Sequence, residues 1–302
     1  MVKVAFITAI MGGYDLECKP FVKQTIDSDF ICFTDNPSIP SNGWIIDNTP
    51  YHLTYPSPVD KGYYINSIHK LKVITDYAPS SGSPLTSNRH PFNIAKYYKQ
   101  NWQNIPRLKE YDVVIWMDGT LEIISPNVAE YMIKMCEQYK IVSWMHEFRA
   151  GNLAWEVFGS DLGRYHDLKY NGVHQPYQDI YRQYHDYIEQ GYDEKFWKTV
   201  SRKEGRGCPN NTPSDCSHFG MWITCFVAFN NKSEEVKKFL DLWYLQTLKY
   251  TTQDQVGFPK VIQDTKLIPY TLPDDTFLGA FPHKQTSMYI KHKHAPNTGN
   301  DL

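Results

Sequence analysis

The chain has 302 residues, with 31 Lys+Arg against 33 Asp+Glu, 41% hydrophobic and 15% aromatic content. That length and apolar content suit one large or two small folded domains and exclude a disordered or fibrous chain. The formal net charge of −2 removes the whole-molecule positive field of a general nucleic-acid or anionic-membrane binder, though not a local basic patch.

The first apolar run, residues 3–10, is short and lacks a small-residue cleavage site, so it predicts a buried first strand and not a secretory leader. No stretch reaches the roughly 20 apolar residues of a membrane-spanning helix. The six cysteines (Cys18, Cys32, Cys136, Cys208, Cys216, Cys225) form no C-x-x-C pair, which predicts free thiols, a reducing compartment and a cytoplasmic protein. A second strand, residues 29–35, ends in Asn-Pro punctuation. Residues 37–88, rich in Ser, Pro, Gly and Asn, read as an insertion with a helix at 63–77 and a surface loop at 78–84.

A helix at 91–101 leads into residues 111–120, where the apolar run before Trp116 predicts a strand covered on both faces. A helix at 128–139, a strand at 141–144, a polar-aromatic helical region at 147–200 and a strand at 219–230 follow. Ser233 is the expected N-cap of the next helix, with Glu234 and Glu235 in its first turn and Val236, Phe239, Leu240 and Trp243 on its buried stripe. Residues 285–302 read as a flexible tail. The βαβα order predicts one α/β domain over residues 1–302, a parallel-rich central sheet flanked by helices.

Ligands collect beyond the carboxyl ends of strands in such sheets, and three polar clusters lie at predicted strand ends. Thr8-Ala9-Ile10-Met11-Gly12-Gly13-Tyr14-Asp15 places two glycines where the backbone can approach a ligand and a tyrosine that can stack on a base; it also fits an ordinary tight turn. Asp118, in Trp116-Met117-Asp118-Gly119-Thr120, leaves an apolar strand and needs a cation or donors, supplied by a metal with phosphate oxygens or by capping of the next turn. Asp254, between Gln253 and Gln255, suits sugar hydroxyls or a catalytic base, or a helix-start cap formed by Asp254 or Thr252. His283 is a candidate metal ligand, with His292 and His294 behind it, a pair that also fits solvated tail histidines; Arg149 and His146 could contact phosphate and a hydroxyl, or form an intramolecular ion pair. Phosphate-binding P-loop, dinucleotide G-x-G-x-x-G, G-x-S-x-G and H-E-x-x-H patterns are all absent.

In order, Phe6–Asp15, Phe30–Asp35, Arg89–Lys99, Trp116–Gly119, His146–Arg149 and Thr252–Gln255 resemble the blocks of one family. This is the glycosyltransferase-like domain of plant cell-wall and pollen proteins of the TOD and MUCI type, found also in bacteria and large viruses. The resemblance covers most of the chain. It implies a GT-A-like nucleotide-sugar-binding α/β sandwich in which Thr8, Ala9, Gly13, Tyr14 and Asp35 hold the nucleoside. Arg89 and Lys96 would face the diphosphate, and Asp118 would stand in the metal motif. Asp254 and Gln255 would lie near the donor sugar and acceptor. Thr120 replaces the motif's second aspartate, and His283 is the candidate to supply the missing ligand, as a C-terminal histidine does in the similar glycogenin-like transferases.

The expected activity is therefore transfer of a sugar from a nucleotide-sugar donor, a UDP-sugar first, to a glycan or other hydroxyl acceptor, with Mn2+ or Mg2+. Asp254 is the expected base if the reaction inverts; if it retains, Asp254 orients the sugar and the departing phosphate takes the proton. The rival from another class is a non-catalytic carbohydrate- or nucleic-acid-binding module on the same fold. A variant keeps the enzyme with DNA as acceptor, guided by Arg202, Lys203 and Arg206.

Overall fold

A computed structural model describes residues 2–54, 91–146, 153–166, 180–193, 220–272, 277–278 and 285–292. The strands in chain order are β1 (Val4–Ile10), β2 (Ser28–Thr34), β3 (Ile45–Asp47), β4 (Val113–Met117), β5 (Leu121–Ile123), β6 (Ile141–Met145), β7 (Trp222–Asn230), β8 (Tyr270–Leu272), β9 (Phe277–Leu278), β10 (Gln285–Thr286) and β11 (Tyr289–Lys291). The helices are α1 (Pro91–Gln100), α2 (Val128–Tyr139), α3 (Leu153–His166), α4 (Ile180–Glu189), α5 (Glu234–Lys249) and α6 (Asp254–Thr265). A helical turn at Tyr51–Thr54 and two 3-10 segments, Trp102–Asn104 and Pro106–Glu110, join them.

Seven strands form one sheet in the order β3-β2-β1-β4-β7-β6-β8. Every neighbouring pair is parallel except those of β7, which runs against both β4 and β6. The chain steps outward from β1 to β2 and β3, then returns across β1 to enter β4 on its other side. That reversal is a topological switch point, and it opens a crevice beyond the carboxyl ends of β1 and β4.

The strands bury both faces, so they read as apolar runs and not as alternations. Along β1, Ala5 and Ile7 enter one core while Val4, Phe6 and Ile10 enter the other. The first core, against α1, α5 and α6, is built on Trp102, Phe229, Phe239, Trp243 and Phe258. The second takes the α2 stripe Val128, Met132, Met135 and Cys136. Ser233 caps α5 as its sequence implies, its hydroxyl accepting from the Val236 amide.

Four short strands form a second sheet, β5-β11-β10-β9, all antiparallel. Residues 285–292 are thus strands and a turn, not the tail that the sequence suggested. Tyr289 stacks on Phe226 at 5.4 Å, and the Thr286 hydroxyl accepts from the Met288 and Tyr289 amides to close the turn. Ile45–Asp47, inside the segment read as an insertion, forms the edge of the main sheet. The helix expected at 63–77, the loop at 78–84 and the basic residues Arg202, Lys203 and Arg206 lie outside the described residues. Cys18, Cys32, Cys136 and Cys225 are buried free thiols. Among the described residues, no helix is long and apolar enough to cross a membrane.

Trp243 joins this core to the crevice. Its ring packs on Phe258 at 4.9 Å and Phe239 at 6.1 Å, and its indole N–H donates to the Asp254 carbonyl at 2.8 Å. Replacing it with alanine is expected to cost about 3–5 kcal/mol, through lost burial and an unfilled cavity. Denaturant unfolding should show this as a lower midpoint at similar slope. A loss below about 1 kcal/mol would contradict this packing.

Candidate functional site

A cavity of about 180 Å3 occupies the switch-point crevice. Ala9, Ile10 and Met11 line it from the end of β1, Trp116, Asp118 and Gly119 from the end of β4, and Phe92, Ala95 and Lys96 from α1. Tyr14 and Asp15 complete the wall. The glycine pair after β1 forms a tight turn in which Gly12 (φ 63°) and Gly13 (φ 66°) both take left-handed backbone, and the Tyr14 amide returns to the Met11 carbonyl. Two successive residues at positive φ suit a mirror-image turn and favour glycine at both places. Asp35, at the end of β2, fixes the turn by accepting from the Gly12 amide at 2.9 Å. The Tyr14 ring meets Phe92 edge-on at 4.7 Å. Gly119 leaves room for the wall: a Cβ there would sit 3.1 Å from Asp15 Oδ2 and from Ile10 Cγ1.

Behind the cavity lies a buried charge cluster. Lys96 and Lys99 stand three apart on α1 and so share a face. Lys96 Nζ reaches Asp254 Oδ1 at 2.5 Å, and Lys99 Nζ reaches Asp254 Oδ2 at 2.6 Å. The Thr224 hydroxyl, on β7, donates to Asp254 Oδ2 at 3.0 Å and accepts from Lys99 at 3.3 Å. Lys99 is 1% exposed, and its ammonium lies 5.5 Å from the Trp116 ring centroid and 5.9 Å from that of Trp243. Both faces are places where a cation is stabilised by the ring quadrupole. Lys99 also approaches Asp118 Oδ1 at 3.5 Å, an oxygen that accepts from the Trp116 indole N–H at 2.8 Å. Two ammoniums thus face two carboxylates.

Burial alone would push the Asp254 carboxyl up, but the charges and hydrogen bonds of Lys96 and Lys99 outweigh it and hold the group down at about 2. Its place in the first turn of α6 adds the favourable end of the helix dipole. Burial lowers the Lys96 ammonium, which Asp254 only partly restores. For Lys99, burial works in the same direction, yet Asp118 and Asp254 together raise it above the ordinary lysine value.

The network continues along α6. Gln255 accepts from the Thr224 amide at 3.1 Å and donates to Glu156 Oε1 on α3 at 2.8 Å. Glu156 Oε2 lies 3.7 Å from His146 Nε2, at the end of β6. His146, Gln255, Asp254, Lys96 and Asp118 therefore belong to one connected network, of which Lys96 and Asp118 reach the cavity.

Of the residues expected from sequence, Ala9, Tyr14, Lys96 and Asp118 line the cavity, and Gly13 and Asp35 shape its turn. Thr8 is 1% exposed and, by strand alternation, sits on the opposite sheet face from Ala9. Asp254 is no helix cap: Gln253 holds that place, with no capping bond from its side chain, and Asp254 spends both oxygens on the lysines. A carboxylate so held, with so low a pKa, is a poor proton acceptor. His292, still partly exposed, pairs with Glu122 at 2.7 Å, and its amide bonds the Thr120 carbonyl. Arg89, Arg149, His283 and His294 lie outside the described residues. Lys99, Thr224, Glu156 and Phe92 were missed as site residues; the spacing Phe92, Ala95, Lys96, Lys99 is a helical stripe, and two lysines on it were the available signal.

Among the described residues, no three His, Cys, Asp or Glu side chains gather into a metal cluster. Asp118 Oδ2 nevertheless has no hydrogen-bond partner among the described residues, its side chain is 36% exposed, and Asp15 lines the same cavity. This donor set fits a hard divalent cation that takes one or two carboxylates and completes its shell with substrate phosphates and water.

The chain matches no protein-family model and no curated protein. Among solved structures it is similar to the mannosyltransferase Ktr4p from S. cerevisiae, at 12% identity and TM-score 0.41, over 94% of this chain and 72% of that one. Core-mannan synthase A from Aspergillus fumigatus, in a Mn/GDP form, matches at 10% identity and TM-score 0.39, over 98% and 79%. The bifunctional glycosyltransferase WbbM, in an apo structure, matches at 10% identity and TM-score 0.41 over 91% of this chain, which spans 38% of the length of WbbM. These likenesses are distant, and the functional reading rests on the side chains of the site.

Asp254→Asn should leave two buried ammoniums short of one counter-charge and cost about 3–5 kcal/mol. The folded value of about 2 lies below the ordinary 3.8, so the carboxylate's contribution is complete above the ordinary value and lost as pH falls through the folded one. That titration is worth about 2–3 kcal/mol. Unfolding free energy measured against pH should therefore fall less steeply in the variant than in the parent below about pH 4. Equal slopes would remove Asp254 from the cluster.

Proposed function

We propose that the chain is a glycosyltransferase that moves a sugar from a nucleoside-diphosphate sugar to a hydroxyl acceptor, on a GT-A-like fold of the kind the TOD and MUCI resemblance implies. The observation that carries this reading is the switch-point cavity itself. Its lining combines an aromatic pair with a lysine-backed wall and a partly free carboxylate. Nucleosides need a flat apolar partner, and diphosphates need fixed cations and close backbone. Tyr14 and Phe92 supply the first, and Lys96 with the Gly12-Gly13 turn supplies the second.

The chemical demand of glycosyl transfer is neutralisation of the leaving diphosphate. Lys96 is the residue we assign to it: its side chain lines the cavity and is 17% exposed, and Asp254 fixes its position. Asp118, helped by Asp15, would hold a divalent cation, which would supply further charge neutralisation at the diphosphate. Asp254 and Gln255 act as positioning residues: Asp254 holds the lysines, and Gln255 ties α6 to β7 and α3. Asp254 being so weak a base favours the retaining course, in which the departing phosphate oxygen takes the acceptor proton. A UDP-sugar is the first donor to test.

Thermal unfolding of the full chain with nucleoside diphosphates and nucleotide sugars, with and without Mn2+, tests the binding step, since a ligand of the folded state raises the midpoint. One nucleotide class should raise it, and Lys96→Met should weaken that nucleotide by about tenfold or more. With the identified donor, Asp118→Ala should cut turnover by about 100-fold or more. Binding without turnover would favour the non-catalytic binding module, and wild-type turnover in Asp118→Ala would contradict the role given to Asp118.

A further inference from the structure

The two oxygens of Asp118 stand in different surroundings. Oδ1 accepts from the Trp116 indole and faces the Lys99 ammonium at 3.5 Å, whereas Oδ2 has no partner among the described residues. Lys99 is not free to move away. Asp254 holds it at 2.6 Å, Thr224 at 3.3 Å, and the rings of Trp116 and Trp243 border its head. A cation at Asp118 would therefore share its carboxylate with a fixed, buried positive charge and would find no cluster of three protein ligands among the described residues.

We propose that Lys99 is a positioning residue that makes divalent-cation binding at Asp118 conditional on a bound diphosphate. Alone, the cation gains Asp118 Oδ2 with Asp15 beside it, and meets the repulsion of the ammonium across low-dielectric protein. Alone, the diphosphate meets the carboxylates of Asp118 and Asp15. Together each cancels what the other opposes, so each raises the other's affinity by the same factor. This inference rests on the nucleotide reading of the cavity and adds the order in which its charges assemble. Lys99 touches neither ligand and acts through Asp118.

The test is a Mn2+ titration of the full chain followed by the electron paramagnetic resonance of free Mn2+. It is run with and without a saturating nucleoside diphosphate, against the protein-free nucleotide–Mn2+ complex. The wild-type chain should bind Mn2+ at least about tenfold more tightly with the nucleotide present. Lys99→Met, and Lys99→Gln as a variant that keeps a hydrogen-bonding group, should bind Mn2+ alone at least about tenfold more tightly than wild type and show a smaller nucleotide effect. Equal Mn2+ affinity with and without a diphosphate that itself binds would overturn the inference and leave the nucleotide site standing, a result that needs no variant. An undiminished nucleotide effect in a folded Lys99 variant would overturn it too. Failure of every diphosphate to bind would bring down the glycosyltransferase reading and this inference with it.

Discussion

The structure turns on the ammonium of Lys99. A lone charge this deep costs several kcal/mol, and it is tolerated only because every neighbour answers it. Asp254 and Asp118 supply counter-charge, Thr224 a hydroxyl, and Trp116 and Trp243 the negative faces of their rings. These partners come from α6, β4, β7 and α5, so one side chain of α1 fixes how five elements meet. With Lys96 added, two positive charges meet two negative ones, and this cluster is close to neutral before any ligand arrives.

That balance sets how the site can select a ligand. The whole chain carries a formal charge of −2 and offers no long-range attraction to an anion. Recognition has to be local. In the proposed reading it would come from Lys96 held at the cavity edge, from the left-handed turn at Gly12-Gly13 fixed by Asp35, and from the aromatic pair Tyr14 and Phe92. Because the lysines are already engaged by Asp254, a bound polyanion would find them in place and would need little reorganisation. Rigidity at the wall and openness at Asp118 Oδ2 are two sides of one arrangement.

Much of the fold was legible in the sequence because both-face burial leaves a strong mark. The apolar runs of β1, β2, β4 and β7 stood out, as did the Ser233 cap and the stripe Val236, Phe239, Leu240, Trp243. The direction of β7 was not legible, since a strand buried on both faces reads alike either way. Two- and three-residue strands such as β10 and β11 are too short to show a period. At the site, the strand-end rule found Asp118 and the Gly12-Gly13 turn. It could not separate Thr8 from Ala9, which are adjacent in sequence and opposite in space. Lys99 was missed because helix lysines are mostly solvated, and only three-dimensional contact reveals two carboxylates and two indoles around it. Asp254 was found, but its partners were not legible: only the fold brings Lys96 and Lys99 onto its two oxygens.

The most direct test is a crystal structure of the chain with a bound nucleoside diphosphate. The account predicts the base beside Tyr14 and Phe92, the phosphates against Lys96 and the Gly12-Gly13 turn, and Lys99 unmoved between Asp254 and the two tryptophans. A nucleotide bound elsewhere on the chain, or a Lys99 that leaves Asp254 to contact the phosphates itself, would contradict it.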